Sequence, residues 1–293
     1  MKSDVRRVRA VLFAVLAALL YAVSTPVSKE LLRHVPPMML AGLLYLGAGI
    51  GLVLLKAVIS GGEGEDARLT QGDMKFVVAM TVLDVAAPIL LLLGLGRTTA
   101  ANVSLLNNFE IVMTSVIAFA LFGERISRRL WFGIATVTLA CLMLSVEDVS
   151  SFSFSVGSLY VLAACACWGV ENNCTRRLSA RNPMTITIIK GFCSGVGSLC
   201  IAFAVGERMN AVLPLLGALA LGFVAYGLSI WFYIRAQRHI GAARTSAYYA
   251  LSPFMGVALS LVVFGELPTR MFWVALEIMI AGMVIVTQDS MKV

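Results

Sequence analysis

Acidic residues interrupt the long apolar stretches of this sequence, notably Asp84, Glu110 and Glu171. In a membrane a buried carboxylate is costly, so it faces a polar interior, a cavity or an opposite charge. Such a group can hold an amine or take up and release a proton. These three residues are therefore candidates for binding or coupling, and each also has a structural interpretation.

Glu110 has polar neighbours at helical spacing. Asn107 lies three residues before it and Ser104 three residues before that, so the three side chains can share one helix face. Asn108 is off this face and is expected to bond to another helix. Glu110 then either binds a substrate amine or a coupling proton, or anchors two helices through a hydrogen bond.

Asp84 and Glu171 have similar alternatives. Pro88, four residues after Asp84, removes a helical hydrogen bond and leaves a local polar spot. Asp84 is either a cavity residue or the charge partner of Lys190, which otherwise extends to the membrane surface. Glu171 follows Trp168 and is either a gate or cavity residue or a residue close to the cytoplasmic end of its helix.

Aromatic side chains can line the same space, because ring faces attract cations. The alternative for any of them is the aromatic belt at the membrane surface, which suits Trp131 and Trp273. The candidates for a cavity wall are Tyr21, Trp168, Tyr226, Trp231, Tyr248 and Tyr249.

The elements that must position these residues are membrane helices. The 293-residue chain is 59% hydrophobic and 13% charged, and soluble domains carry about a quarter charged residues. Pro26 is expected to break the first helix. We predict ten spans, at Val8–Val27, Met38–Ile59, Phe76–Leu95, Ala101–Phe122, Leu130–Val146, Gly157–Thr175, Thr185–Val205, Val212–Ile234, Thr245–Phe264 and Phe272–Thr287.

One stretch of the chain occurs twice. Residues 100–131 align without gaps to residues 242–273 at an offset of 142 (265 − 123), and nine of the 32 positions are identical, including Phe-Gly-Glu at 122–124 and 264–266. We read this as an internal duplication. It predicts two repeats of five helices each, at residues 8–146 and 157–288.

The positive charges predict the orientation. We expect the chain to lie in the plasma (inner) membrane with both termini in the cytoplasm. In this orientation 17 of the 23 Lys and Arg residues lie inside and five outside, as the positive-inside rule requires. Because five spans is an odd number, the second repeat must be inverted relative to the first. Inverted repeats are typical of transporters, whose substrate site lies between the halves.

This pattern resembles the EamA type of the drug/metabolite transporter superfamily. The resemblance rests on the five-plus-five duplication, on Tyr21-Ala22 and Trp168-Gly169 in the first helix of each half, and on Phe-Gly-Glu after the fourth. It implies a central cavity, alternating access and export of a small polar metabolite such as an amino acid, by proton coupling or exchange. Family copies often carry Glu-Pro in the fourth helix, but here Glu110 precedes Ile and Pro253 follows Ser.

Other classes of function fit less well. The sequence lacks the motifs of an intramembrane enzyme, since neither His-Glu-x-x-His nor Gly-x-Ser-x-Gly occurs. A membrane scaffold or lipid scramblase would fit the duplication too, and differs by tolerating Glu110→Gln. We expect a small-molecule substrate and lipids as partners, no nucleic acid, no cofactor, no metal and no disulfide among the six cysteines. The sequence does not decide between a monomer and a homodimer.

Overall fold

Helices form nearly all of the computed structural model, which describes residues 2–58, 69–123, 127–148, 153–178, 181–209, 211–240, 248–265 and 268–290. A small antiparallel hairpin, β1 (Val146–Asp148) and β2 (Ser153–Phe154), lies at the predicted junction between the halves. The helices are α1 (Lys2–Ala22), α2 (Ser24–Leu31), α3 (Pro37–Val58), α4 (Met74–Leu95), α5 (Ala100–Leu106), α6 (Phe109–Phe122), α7 (Arg128–Ser145), α8 (Val156–Leu178), α9 (Pro183–Ala204), α10 (Val212–Leu221), α11 (Ser229–Ile240), α12 (Ser252–Phe264) and α13 (Arg270–Ser290).

The duplicated turn has the same backbone in both copies. Gly123 ends α6 with φ of 68° and Gly265 ends α12 with φ of 61°. This left-handed conformation closes a helix and costs other residues free energy, which explains the glycine of Phe-Gly-Glu. The following glutamates, Glu124 and Glu266, lie outside the described residues.

Two of the predicted membrane helices are interrupted. The first breaks at Val23, between α1 and α2, three residues before Pro26, which confirms the predicted break in the first helix. The fourth breaks at Asn107 and Asn108, where the backbone N–H groups of Asn108, Glu110 and Ile111 bond three residues back instead of four. A turn at residues 250–251 likewise precedes α12 in the second copy. Breaks expose backbone groups and polar side chains at membrane depth.

Eight helical segments in the described ranges are long and apolar enough to cross a membrane. The predicted sixth and ninth spans are not among them. The sixth is α8, which has 23 residues but contains Glu171, Asn172 and Asn173, and the ninth is described only from Tyr248 onward. The protein is thus a helical, multi-pass membrane protein, and the count of ten spans stays a prediction.

Helix packing brings the two halves into contact along their whole length. The pairs are α3 with α9, α4 with α8, α1 with α11, α7 with α13, α6 with α8 and α5 with α12. Glycines allow the closest approach: a Cβ atom added to Gly191 of α9 would lie 2.5 Å from Gly49 Cα of α3. Close contact of this kind between small residues is typical of membrane helices.

Large apolar side chains cover much of the outer surface. Examples are Val58, Leu121, Leu213 and Val262, with 82%, 70%, 80% and 83% of their surface exposed. A soluble protein rarely exposes so many, so these faces contact lipid. The polar residues of interest lie on the inner faces of the same bundle.

Candidate functional site

Glu110 pairs with an amide on the opposite half of the chain. Asn172 Nδ2 of α8 donates to Glu110 Oε1 at 2.7 Å and contacts Thr114 Oγ1 at 3.2 Å. Glu110 lies in the first turn of α6, where the positive end of the helix dipole favours a carboxylate. Glu110, Thr114 and Asn172 are each partly exposed, so a ligand can reach this polar group.

The break in the fourth helix separates residues that were predicted to share a face. Ser104 of α5 faces Gly256 of α12, whereas Glu110 bonds to α8. Asn107 is 8% exposed, and its Oδ1 atom has no hydrogen-bond partner. The prediction of one continuous Ser104–Asn107–Glu110 face was wrong for a physical reason, because it assumed a straight helix through Asn107.

Asn108 does not bond to another helix. Its Nδ2 atom donates to the carbonyl oxygen of Leu105 at 2.9 Å, within the same turn, and its Oδ1 atom has no partner. The amide therefore bonds to a carbonyl that also accepts the backbone N–H of Asn108, and the interhelical bond predicted for it was wrong.

A second polar group joins four helices through Lys190. Its Nζ atom lies 2.8 Å from Glu171 Oε1 of α8 and 3.3 Å from Asp84 Oδ2 of α4. The Tyr45 hydroxyl of α3 donates to Asp84 Oδ1 at 3.0 Å, and Thr175 Oγ1 donates to Glu171 Oε1. We call Asp84, Glu171 and Lys190 the charged triad.

The charged triad is buried. Asp84, Glu171 and Lys190 are 1%, 2% and 9% exposed. Lys190 therefore pairs with acids inside the bundle and does not extend to the membrane surface, so the charge-pair interpretation of Asp84 is the one observed. Asp84 Oδ2 makes the ion pair without a hydrogen bond, which leaves one buried carboxylate oxygen incompletely satisfied.

Tyrosine rings form a continuous row beside these groups. The ring of Tyr226 lies 5.4 Å from that of Tyr45 and 5.8 Å from that of Tyr21, and Tyr21 lies 5.8 Å from Tyr249. Tyr233 extends the row at 5.0 Å from Tyr249. The row connects Tyr45, whose hydroxyl donates to Asp84, to the partly exposed residues Tyr21 and Tyr249.

An irregular helix positions the middle of this row. Residues Gly222–Leu228, between α10 and α11, form a π-helical stretch that contains Tyr226. Such stretches are rare and often occur at functional sites. Ser24, the first residue of α2, donates to the Tyr226 hydroxyl at 3.4 Å, so the row also touches the break in the first helix.

The other predicted aromatic residues lie at different depths. Trp168 is 6% exposed and packs in the apolar core of the bundle. Trp231 packs with Leu52 and Met184 in a separate apolar cluster. Tyr248 is partly exposed beside Tyr249. The structure therefore brings Tyr21 and Tyr249 together, whereas Trp168 lies in the apolar core and Trp231 lies in a separate apolar cluster.

Sequence reasoning missed Tyr45 as a site residue and weighed Lys190 mainly as a structural residue. Tyr45 lies in an apolar run with no polar neighbour, so nothing in the sequence separates it from a packing residue. Lys190 could have been found from the predicted spans, because it lies five residues inside Thr185–Val205, whereas Arg9 and Lys56 lie within three residues of a span end.

Comparison with known proteins places this arrangement in a family. The profile of the EamA-like transporter family matches residues 8–146 and again residues 155–288. An uncharacterized transporter of Methanothermobacter thermautotrophicus is 27% identical over 96% of this chain and 86% of its own. The uncharacterized inner membrane transporter YedA of Escherichia coli K12 is 26% identical over 86% and 82%.

A solved crystal structure shows the same fold. It superposes with a TM-score of 0.69 at 16% sequence identity and covers 97% of both chains. Because the two matches to the family profile together cover nearly the whole chain, the protein belongs to the EamA-like transporter family and is a multi-pass membrane transporter, not an enzyme.

Proposed function

We propose that the protein is a secondary transporter that exports a small polar metabolite, such as an amino acid or a related compound. The observation that carries this proposal is the partly exposed Glu110–Asn172 pair at membrane depth. A carboxylate with a free second oxygen can hold the ammonium group of such a compound. Tyr21 and Tyr249 supply ring faces for the rest of the molecule.

The helices form ten spans in two inverted five-helix repeats, residues 8–146 and 157–288. The contacts between helices support this, because they are reciprocal. The first helix of each half packs on the third helix of the other, as α1 with α11 and α8 with α4. The first helix of each half also packs on the fourth of the other, as α1 with α12 and α8 with α6.

Transport proceeds by alternating access between these halves. Glu110 and Asn172 belong to different halves, so a relative rotation of the halves opens or closes the pair. The break in the fourth helix lies next to Glu110, and the break in the first helix touches the tyrosine row through Ser24, as expected for a transporter site. The protein resides in the plasma (inner) membrane with both termini in the cytoplasm, in line with its charge distribution and with its similarity to YedA.

The test compares metabolites in the medium of cells that overproduce the intact protein, the Glu110→Gln variant or the Glu30→Gln variant at equal membrane levels. Glu30 is exposed and pairs with Arg33, so Glu30→Gln is a matched control for loss of an acid. We expect one class of compound to accumulate outside with the intact protein and with Glu30→Gln, and at least tenfold less with Glu110→Gln. Equal accumulation with both variants would refute the role of Glu110.

A further inference from the structure

We propose that the charged triad of Asp84, Glu171 and Lys190 is a proton-binding site, separate from the substrate site at Glu110, and that it takes up one proton in each transport cycle. The part of this inference that concerns coupling rests on the proposed transport function. The part that concerns proton binding stands on the geometry of the triad alone.

Charge counting gives the first argument. Two carboxylates share one ammonium group at ion-pair distance, and all three residues are at most 9% exposed. With both acids ionised the triad carries one excess negative charge in an apolar bundle. Carboxylates that share a site do not ionise independently. Uptake of one proton converts one carboxylate to a carboxylic acid and makes the triad neutral.

Among the residues that the structure describes, no second cation lies at ion-pair distance from Asp84 or Glu171. The titratable or charged groups that face Asp84 are Tyr45 from α3, Glu171 from α8 and Lys190 from α9. Glu110 of α6 is the next acid and interacts electrostatically with both Glu171 and Lys190. Each of these groups is neutral or negative except Lys190, so the excess charge is not cancelled by its described neighbours.

Buried hydroxyls give a second, independent argument. Ser194 and Ser198 follow Lys190 on one face of α9 at four-residue spacing, and both are completely buried. Ser194 Oγ contacts the carbonyl oxygen of Thr81 at 3.5 Å, and Ser198 Oγ has no hydrogen-bond partner. Buried hydroxyls with free hydrogen-bonding capacity therefore extend the polar face of α9 for two turns beyond Lys190.

The position of Glu171 explains how proton binding acts on the substrate site. Glu171 pairs with Lys190, and the next residue, Asn172, holds Glu110. A proton on the triad weakens the hold of Lys190 on one of its acids. The same turn of α8 carries the amide that holds Glu110, so movement of this turn changes both sites together.

Infrared spectroscopy tests proton binding without any substrate. Exposed carboxyl groups titrate near pH 4, so spectra of the purified protein between about pH 6 and 9 report buried carboxyls through the C=O stretch of the protonated form. We expect a band that shifts in D₂O, that disappears in both Asp84→Asn and Glu171→Gln, and that remains in Glu30→Gln and Glu110→Gln. A band unchanged in Asp84→Asn and Glu171→Gln overturns the proposal.

Vesicles test the coupling. With the compound found in the medium as radiolabelled probe, we expect a pH gradient to drive accumulation at least tenfold by the intact protein and not by Glu171→Gln. That variant should still exchange labelled for unlabelled compound. Accumulation that ignores the pH gradient in the intact protein overturns coupling, even where the infrared band is present. Failure to find any exported compound refutes the proposed function and leaves the infrared result to decide proton binding.

Discussion

Replacement of Lys190 by methionine should destabilise the protein strongly. Methionine keeps most of the volume of the lysine stem, so little packing is lost and the change isolates the charge. Asp84 and Glu171, at 1% and 2% exposure, would lose the ammonium group between them. Removal of one partner from a buried ion pair costs about 3–5 kcal/mol. We expect a loss of this size in the free energy of unfolding.

The assay is unfolding by dodecyl sulfate in mixed micelles, followed by tryptophan fluorescence. Lys56→Met is the control, since Lys56 is exposed in the last turn of α3 and its attraction to the helix dipole is worth about 0.3–1 kcal/mol. The triple variant Lys190→Met, Asp84→Asn, Glu171→Gln carries no charge in the triad. It should recover most of the loss, because neutral replacements of buried ion pairs are often tolerated.

Two results would contradict this reasoning. A loss below about 1 kcal/mol in Lys190→Met, the size expected for a surface ion pair, would mean that water reaches the triad. A triple variant no more stable than Lys190→Met would mean that the lysine matters through packing and not through its charge.

Two further predictions concern packing and the tyrosine row. Gly191→Ala should cost about 1–3 kcal/mol through overpacking, because its Cβ would meet the backbone of Gly49 at 2.5 Å, whereas Gly96→Ala, with its nearest contact at 3.5 Å, should stay near wild type in the same assay. Tyr226→Phe keeps both ring contacts and should retain most export. Tyr226→Ala opens the row and should reduce export at least tenfold at equal membrane levels, and equal export by both variants would exclude the row from the site.

The sequence was sufficient for the features that depend on local pattern. Apolar runs located the helices, and Pro26 marked the break in the first helix. The sequence also offered Lys190 as a charge partner of Asp84, and the two form an ion pair. The repeated Phe-Gly-Glu predicted two equivalent turns, and Gly123 and Gly265 indeed share one backbone conformation.

Features that depend on how each helix is rotated about its axis could not be predicted from the local sequence pattern. Glu110 and Asn172 are 62 residues apart, and their pairing depends on how α6 turns towards α8. The break at Asn107 altered that rotation, so a spacing rule for straight helices failed. The five members of the tyrosine row lie on α1, α3, the π-helical stretch, α11 and the segment before α12, so no single element contains more than one of them.

The contacts between equivalent helices have a consequence for the origin of the site. Under the proposed duplication, α3 with α9, α5 with α12 and α7 with α13 are self-complementary interfaces of the kind that build a two-fold symmetric dimer. A polypeptide of five helices could have made the same contacts with a second copy of itself. Such a dimer would carry every residue twice, so a glutamate like Glu110 would occur in both copies. Fusion into one chain removes that constraint, which is why Ser252 can occupy the position equivalent to Glu110 in the second repeat and a single carboxylate can serve the site.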